Sequence, residues 1–243
     1  MNLDRMPYTE LVDHLTDWTM DRIRDLAVAD PRPPLVVPLT VTFRPCTVRP
    51  SRVLVEFERL YLRICRLLMC NPERPSKRRL LPLVLAFRDE AHTRPDKHPC
   101  DRDFFNRPAV APHVHSIMIV HPDLADRFLE IAGDLENVWR EIPPRHGGPF
   151  GFLSQDNGTL RVELEFTYRV RGAMAADPAG CRPRVRGEVR DWIDYSAKLM
   201  RRRSAAADGD LFTALPTETG SPLAGRPALA ARNRSGVELA TAV

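Results

Sequence analysis

"PHVHSIMIV", residues 112–120, is the stretch on which the fold turns. It reads as a hydrophobic strand whose polar residues, His113 and His115, stand at its start. Strand side chains alternate, so the two imidazoles project from one face about 6.5–7 Å apart. Ile117 and Ile119 follow on that face, which confines the polar patch to one end of the strand. His121 shares the parity, but lies roughly 20 Å along an extended chain from His115 and is out of reach of any site the pair builds.

Outward from that strand, "LLPLVLAFRDEAH" (80–92) reads as a second strand, antiparallel to the first, with a polar excursion over 93–111 between them. "LVVPLTVTFRP" (35–45) alternates Leu39, Val41 and Phe43 against Thr40 and Thr42, again a strand. "GTLRVELEFTYRVRG" (158–172) alternates over its whole length and predicts a long strand. Helical spacing marks 8–29, with Leu11, Leu15, Trp18, Ile23 and Leu26, and ends at "DPRPP". It marks 51–70 behind a Ser51 cap, 122–142 behind Pro122, and 188–203. The order α-β-α-β-β-α-β-α suits an α+β domain, an antiparallel sheet with helices packed mainly on one face. Three regions follow: 1–34, an N-terminal helix and Pro-rich linker; 35–202, the sheet domain; and 203–243, a tail rich in Ala, Gly, Pro, Ser and Thr, expected to be disordered.

The 243 residues, 43% of them hydrophobic, suffice for one sizeable core. No run of 18 apolar residues occurs, so no membrane partner is expected. Five cysteines, an odd number at scattered spacing, do not form a disulfide framework and favour a reducing cytoplasm. The net charge of +4 is mild. Lysine occurs only at Lys77, Lys97 and Lys198; every other basic residue is arginine. No GxxxxGK[ST] is present, which excludes a P-loop ATPase.

Two imidazoles on one strand can converge on a metal ion. The neighbouring strand end offers Asp89, Glu90 and His92 as a third ligand, and Glu90 is the choice from the guessed hairpin register; "RDE" reads equally as an ordinary solvated strand end. The last helix carries "DWIDYSAKLM", with Tyr195 and Lys198 three apart on one face and Trp192 placed to anchor the helix to the sheet. A phenol with pKa near 10 is a poor nucleophile unless a cation stabilises the phenolate. The same spacing also suits a half-buried tyrosine with a snorkelling lysine.

"PLTVTF" (38–43), "PHVHSIMIV" and "WIDYSAKL" (192–199) stand in the order of the three motifs of the HUH endonucleases. The set most resembles the single-tyrosine rolling-circle replication initiators (Rep proteins) of plasmids and single-stranded DNA phages and viruses. The resemblance spans roughly residues 35–202 and implies a Rep- or relaxase-like fold related to the ferredoxin and RRM sheets, with the histidine strand central and helices packed on the sheet. It implies metal-dependent, site-specific nicking and joining of single-stranded DNA at an origin or hairpin. Mg²⁺ or Mn²⁺ would be held by His113, His115 and Glu90, with Tyr195 as nucleophile and Lys198 orienting it. Thr40 and Thr42 either face that site or finish their strand. Arg44, Arg88 and Arg169 are candidate phosphate contacts. A host helicase and polymerase are the implied partners, since the chain has no ATPase motif. A single-strand transposase or relaxase, a noncatalytic nucleic-acid-binding domain, and an unrelated metal hydrolase remain open.

Overall fold

The structure, a computed structural model, describes residues 6–29, 32–43, 48, 52–90, 112–141, 158–176, 182–201 and 211–216. Its centre is a five-stranded antiparallel sheet of β1 (Leu35–Phe43), β2 (Leu83–Glu90), β3 (Pro112–Val120), β4 (Gly158–Val162) and β5 (Phe212–Leu215). The order across the sheet is β4-β1-β3-β2-β5, so the histidine strand is the middle one. All four pairings are antiparallel. The excursion at 93–111 and the loop after residue 141 lie outside the described residues.

Helices cover both faces of the sheet rather than mainly one. Leu35, Val37, Leu39, Val41 and Phe43 of β1, with Val114, Met118 and Val120 of β3, pack under α2 (Val53–Leu68), α3 (Pro122–Ala132) and α4 (Leu135–Glu141). Val36, Leu85, Phe87, Ile117 and Ile119 point the other way. They meet α1 (Tyr8–Ala29), α5 (Leu164–Ala176), α6 (Arg182–Ser196) and the residues of α7 (Lys198–Arg201). A strand apolar at both parities must bury both faces, and β3 does so. We call the first the packing face and the second the site face.

The apolar spacing of α2 explains its place. Phe57, Leu60, Tyr61, Ile64, Cys65 and Leu68 form one stripe at i, i+3, i+4 and i+7, and all are buried. Its N-cap is Arg52, which makes no side-chain cap bond, so the expected serine cap is not what starts this helix; Ser51 itself lies outside the described residues. In α1, Leu11, Leu15 and Ile23 are buried, and Trp18 and Leu26 pack against the same cluster. The stretch expected as one helix over 122–142 breaks at Gly133 into α3 and α4. Glycine gives up about 1 kcal/mol of helix preference relative to alanine.

The largest departure from the sequence reading is at 158–172, where a five-residue strand gives way to a helix. Pro38 of β1 is the cause. Its carbonyl accepts from the Glu163 amide at 3.0 Å, but it has no N–H to return on that side, and the β1–β4 ladder stops at Leu39↔Val162. The chain then turns helical, and what looked like alternation resolves into Phe166, Val170, Ala173 and Met174 on one helical face. Tyr168, expected to share a buried face, is 53% exposed.

The expected helix 188–203 begins earlier, at Arg182, and is interrupted at Ala197. Within the stretch expected to be a disordered tail, Phe212–Leu215 forms the edge strand β5 on β2, with Phe212 stacked on Phe87 at 6.1 Å between ring centroids. No helix among the described residues is long and apolar enough to cross a membrane.

Candidate metal centre and tyrosine site

Register places the site. Across β1, β3 and β2, Thr42, His113 and Asp89 form one cross-strand row, and Thr40, His115 and Phe87 form the next. Phe87 faces the site side, so Asp89, two residues on, faces it too. Asp89 Oδ2 lies 3.1 Å from His113 Nε2 and 3.7 Å from His115 Nε2. These three residues are the metal-compatible group among the described residues, with ligand atoms all within 4.8 Å of one another. Among the described residues the third member is Asp89, where the sequence reading chose Glu90. Residue 90 pairs with Pro112, at the opposite parity, and its side chain lies outside the described residues, as does His92.

The group is well shielded, with side-chain exposure of 3% for Asp89, 5% for His115 and 12% for His113. Burial alone would raise the Asp89 carboxyl, but the neighbouring His113 and His115 rings and the Lys198 ammonium prevail and hold it well below the usual carboxylate range. Burial pushes the His115 imidazolium down, against the pull of Asp89, and so favours the neutral ring that ligates metals. Thr40 Oγ1 lies 3.1 Å from His115 Nδ1 and fixes the ring's other nitrogen. Thr40 thus faces the site and supports a ligand.

His115 Nε2 is buried and has no hydrogen-bond partner. An orphaned imidazole nitrogen in a closed pocket costs on the order of 1–3 kcal/mol. A cation shared with Asp89 and His113 would relieve that cost, at ligand distances of about 2–2.5 Å. One carboxylate and two imidazoles without a thiolate form a donor set suited to a divalent ion. The residues present fit such a group.

The C-terminal helices bring the remaining two candidates. Trp192 Nε1 donates to the Ser116 carbonyl of β3 at 3.2 Å, which anchors α6 to the middle strand as expected. One turn later the Tyr195 ring stands 4.9 Å from the His115 ring, centroid to centroid. Tyr195 is half exposed, so its ring joins the buried imidazole to the surface. Lys198 Nζ lies 2.5 Å from Asp89 Oδ2 and 4.3 Å above the Tyr195 ring. Tyr195 and Lys198 are not on one unbroken helix. α6 ends at Ser196 and α7 starts at Lys198.

The other sequence candidates fall elsewhere. His121 caps α3, its Nδ1 accepting from the Asp123 amide at 3.1 Å, well away from the pair as expected. Arg88 is 3% exposed at the parity of the packing face, which removes it as a phosphate contact. Arg169 is paired with Glu188 at 3.2 Å, and Arg44 lies outside the described residues.

Two features had no signal in the sequence. One is the bond from the Tyr8 hydroxyl to the Asp194 carbonyl at 2.8 Å, which ties α1 to the chain next to Tyr195. The other is the pair of ion bridges Arg190–Asp13 and Arg186–Asp17, both 2.8 Å, which link the same helices.

Comparison of the chain with protein-family models, with curated proteins and with solved structures finds no match. What stands on the geometry is a buried Asp/His/His triad able to hold a metal ion, on the middle of an antiparallel sheet, with a tyrosine and a lysine beside it.

Proposed function

We propose that this chain is a metal-dependent nicking and joining enzyme for single-stranded DNA, of the HUH endonuclease type, that initiates rolling-circle replication of a plasmid or phage. The observation that carries this reading is convergence. Residues from β2, β3, α6 and α7, separated by up to roughly a hundred positions in the chain, meet around one carboxylate oxygen and one phenol ring. An ordinary half-buried tyrosine has no reason to stand over a buried histidine pair.

A bound divalent ion, Mg²⁺ or Mn²⁺, supplies Lewis-acid polarisation of a phosphate oxygen at Asp89, His113 and His115. The chain's own groups do the rest. Tyr195 Oη forms a bond to the scissile phosphorus as the bond from phosphorus to the 3′-oxygen breaks. The phenolic proton is balanced by protonation of the departing 3′-oxygen, leaving a 5′-phosphotyrosine and a free 3′-hydroxyl. Attack by a 3′-hydroxyl reverses the step and rejoins the strand. Lys198 offsets negative charge on the phenol oxygen and on the phosphoryl group. Thr40 holds the His115 ring in place. A polymerase extends the free 3′-hydroxyl, and a host helicase opens the duplex.

The test is incubation with labelled single-stranded DNA and Mn²⁺, followed by denaturing electrophoresis and mapping of the attached peptide. An adduct on Tyr195 is expected, abolished in Tyr195→Phe while strand binding persists. An adduct that survives in Tyr195→Phe overturns the assignment.

A further inference from the structure

Asp89 Oδ2 is approached by three groups, His113, His115 and Lys198. It is the only carboxylate of the triad, and the Lys198 ammonium stands 2.5 Å from it. Asp89 is fixed by the β2–β3 ladder and is 3% exposed, so it has little freedom to turn away. Lys198 is different. Its side chain is 40% exposed, it begins a four-residue helix just past an interruption, and its ammonium already borders the Tyr195 ring at 4.3 Å. It has a second place to go, at the mouth of the site.

We propose that Lys198 is a resident counter-cation that competes with the divalent ion for Asp89, so that metal binding and single-strand binding reinforce one another. The inference rests on the metal reading above and goes beyond it.

Charge counting supplies the reason. Asp89 and Lys198 neutralise each other, and an imidazole that ligates a metal is neutral and adds nothing. A divalent ion added to that set leaves two uncompensated positive charges in a shielded pocket, where like charges repel more strongly than in water. A phosphodiester brings one negative charge and a tyrosine phenolate another, which together restore neutrality. The ion alone is therefore disfavoured by the lysine, and the ion together with a DNA phosphate is disfavoured less. By linkage, whatever factor the strand adds to metal affinity, the metal adds to strand affinity. Lys198, once displaced from Asp89, lies beside the phenol oxygen, where developing negative charge needs it.

The test measures Mn²⁺ binding directly, by calorimetry and by the paramagnetic signal of free Mn²⁺, on the full chain. A Tyr195→Phe background keeps the strand uncut. Mn²⁺ is titrated alone and with a short oligothymidylate. Lys198→Met, with Lys198→Gln as a second neutral variant, is expected to bind Mn²⁺ alone about tenfold more tightly than the parent. The enhancement by oligothymidylate should shrink in both. Lys198→Arg, which keeps the charge, should behave like the parent. Without metal, the neutral variants should melt at a lower temperature and recover on adding Mn²⁺. Equal or weaker Mn²⁺ binding in the neutral variants overturns the competition while leaving the metal site standing. Mn²⁺ binding that is absent throughout, or unchanged in Asp89→Asn, overturns the metal reading and this inference with it.

Discussion

The two faces of the sheet are built from the same strands and carry opposite economies. On the packing face, β3 contributes Val114, Met118 and Val120 to a continuous apolar layer under α2, α3 and α4. On the site face the strand does the same with Ile117 and Ile119 against α1. Toward its N-terminal end, however, that face carries His115 and His113 instead. The first face is closed mainly by apolar packing. The second is closed by a buried carboxylate, two imidazoles and a lysine whose charges must balance. Buried polar groups of this kind add little to stability compared with an apolar replacement. Their concentration at one end of one face is what marks that end as the candidate site.

Substitutions on the two faces should therefore separate activity from stability. The largest effect is expected from replacing His113 and His115 together by alanine. Strand cleavage should fall by a factor of about 10³ or more, as removal of a charge-stabilising element at a phosphoryl centre does. The urea midpoint should move little, and a double variant that cuts normally moves the site elsewhere. The reverse profile is expected on the packing face. Phe57→Ala, at a side chain 1% exposed, should cost about 3–5 kcal/mol in equilibrium unfolding. The molecules that remain folded should cut at the parental rate, and a matching loss per folded molecule would erase the distinction between the faces.

A smaller effect sharpens the role of α1. Tyr8→Phe removes the bond to the Asp194 carbonyl and should cost about 1 kcal/mol, and it should slow adduct formation several-fold without changing Mn²⁺ affinity. If Mn²⁺ affinity changes as well, α1 supports the whole face rather than the tyrosine segment. The smallest is chemical. Burial raises the Cys65 thiol to about 11, so at pH 8 it is held as the unreactive thiol, whereas Cys70 is exposed. Peptide mapping after maleimide treatment of the native protein should find Cys70 labelled and Cys65 unlabelled until denaturant is added.

Much of this architecture was legible in the residues because it is local. The alternation of 39–43, the apolar run of 83–87 and the 3.6-period stripes of α1 and α2 are properties of short windows. So is the juxtaposition of His113 and His115, since two residues apart on a strand fixes the face they share. The failures have a common cause. The alternation over 158–172 is a true feature of the sequence, but the strand ends where its neighbour has Pro38 and no donor to offer. Phe212–Leu215 has no pattern of its own strong enough to signal a strand, and becomes one because β2 has a free edge and Phe87 a free ring face. Choosing among Asp89, Glu90 and His92 required the β2–β3 register, which the long intervening segment hides.

By itself, the sequence determined the set of chemical groups and the face on which the imidazoles stand, because side-chain direction along a strand follows from backbone geometry alone. It also determined the α+β class with an antiparallel sheet; the histidine strand's place in the middle came only with the family resemblance and the strand pairing of the structure. Only the tertiary structure decided which carboxylate completes the triad. It also decided that both faces are covered, and that Tyr195 and Lys198 reach the triad from either side of a helix break. Those outcomes depend on contacts between distant parts of the chain. Such contacts are selected by the packing of the whole, and no window of residues carries them.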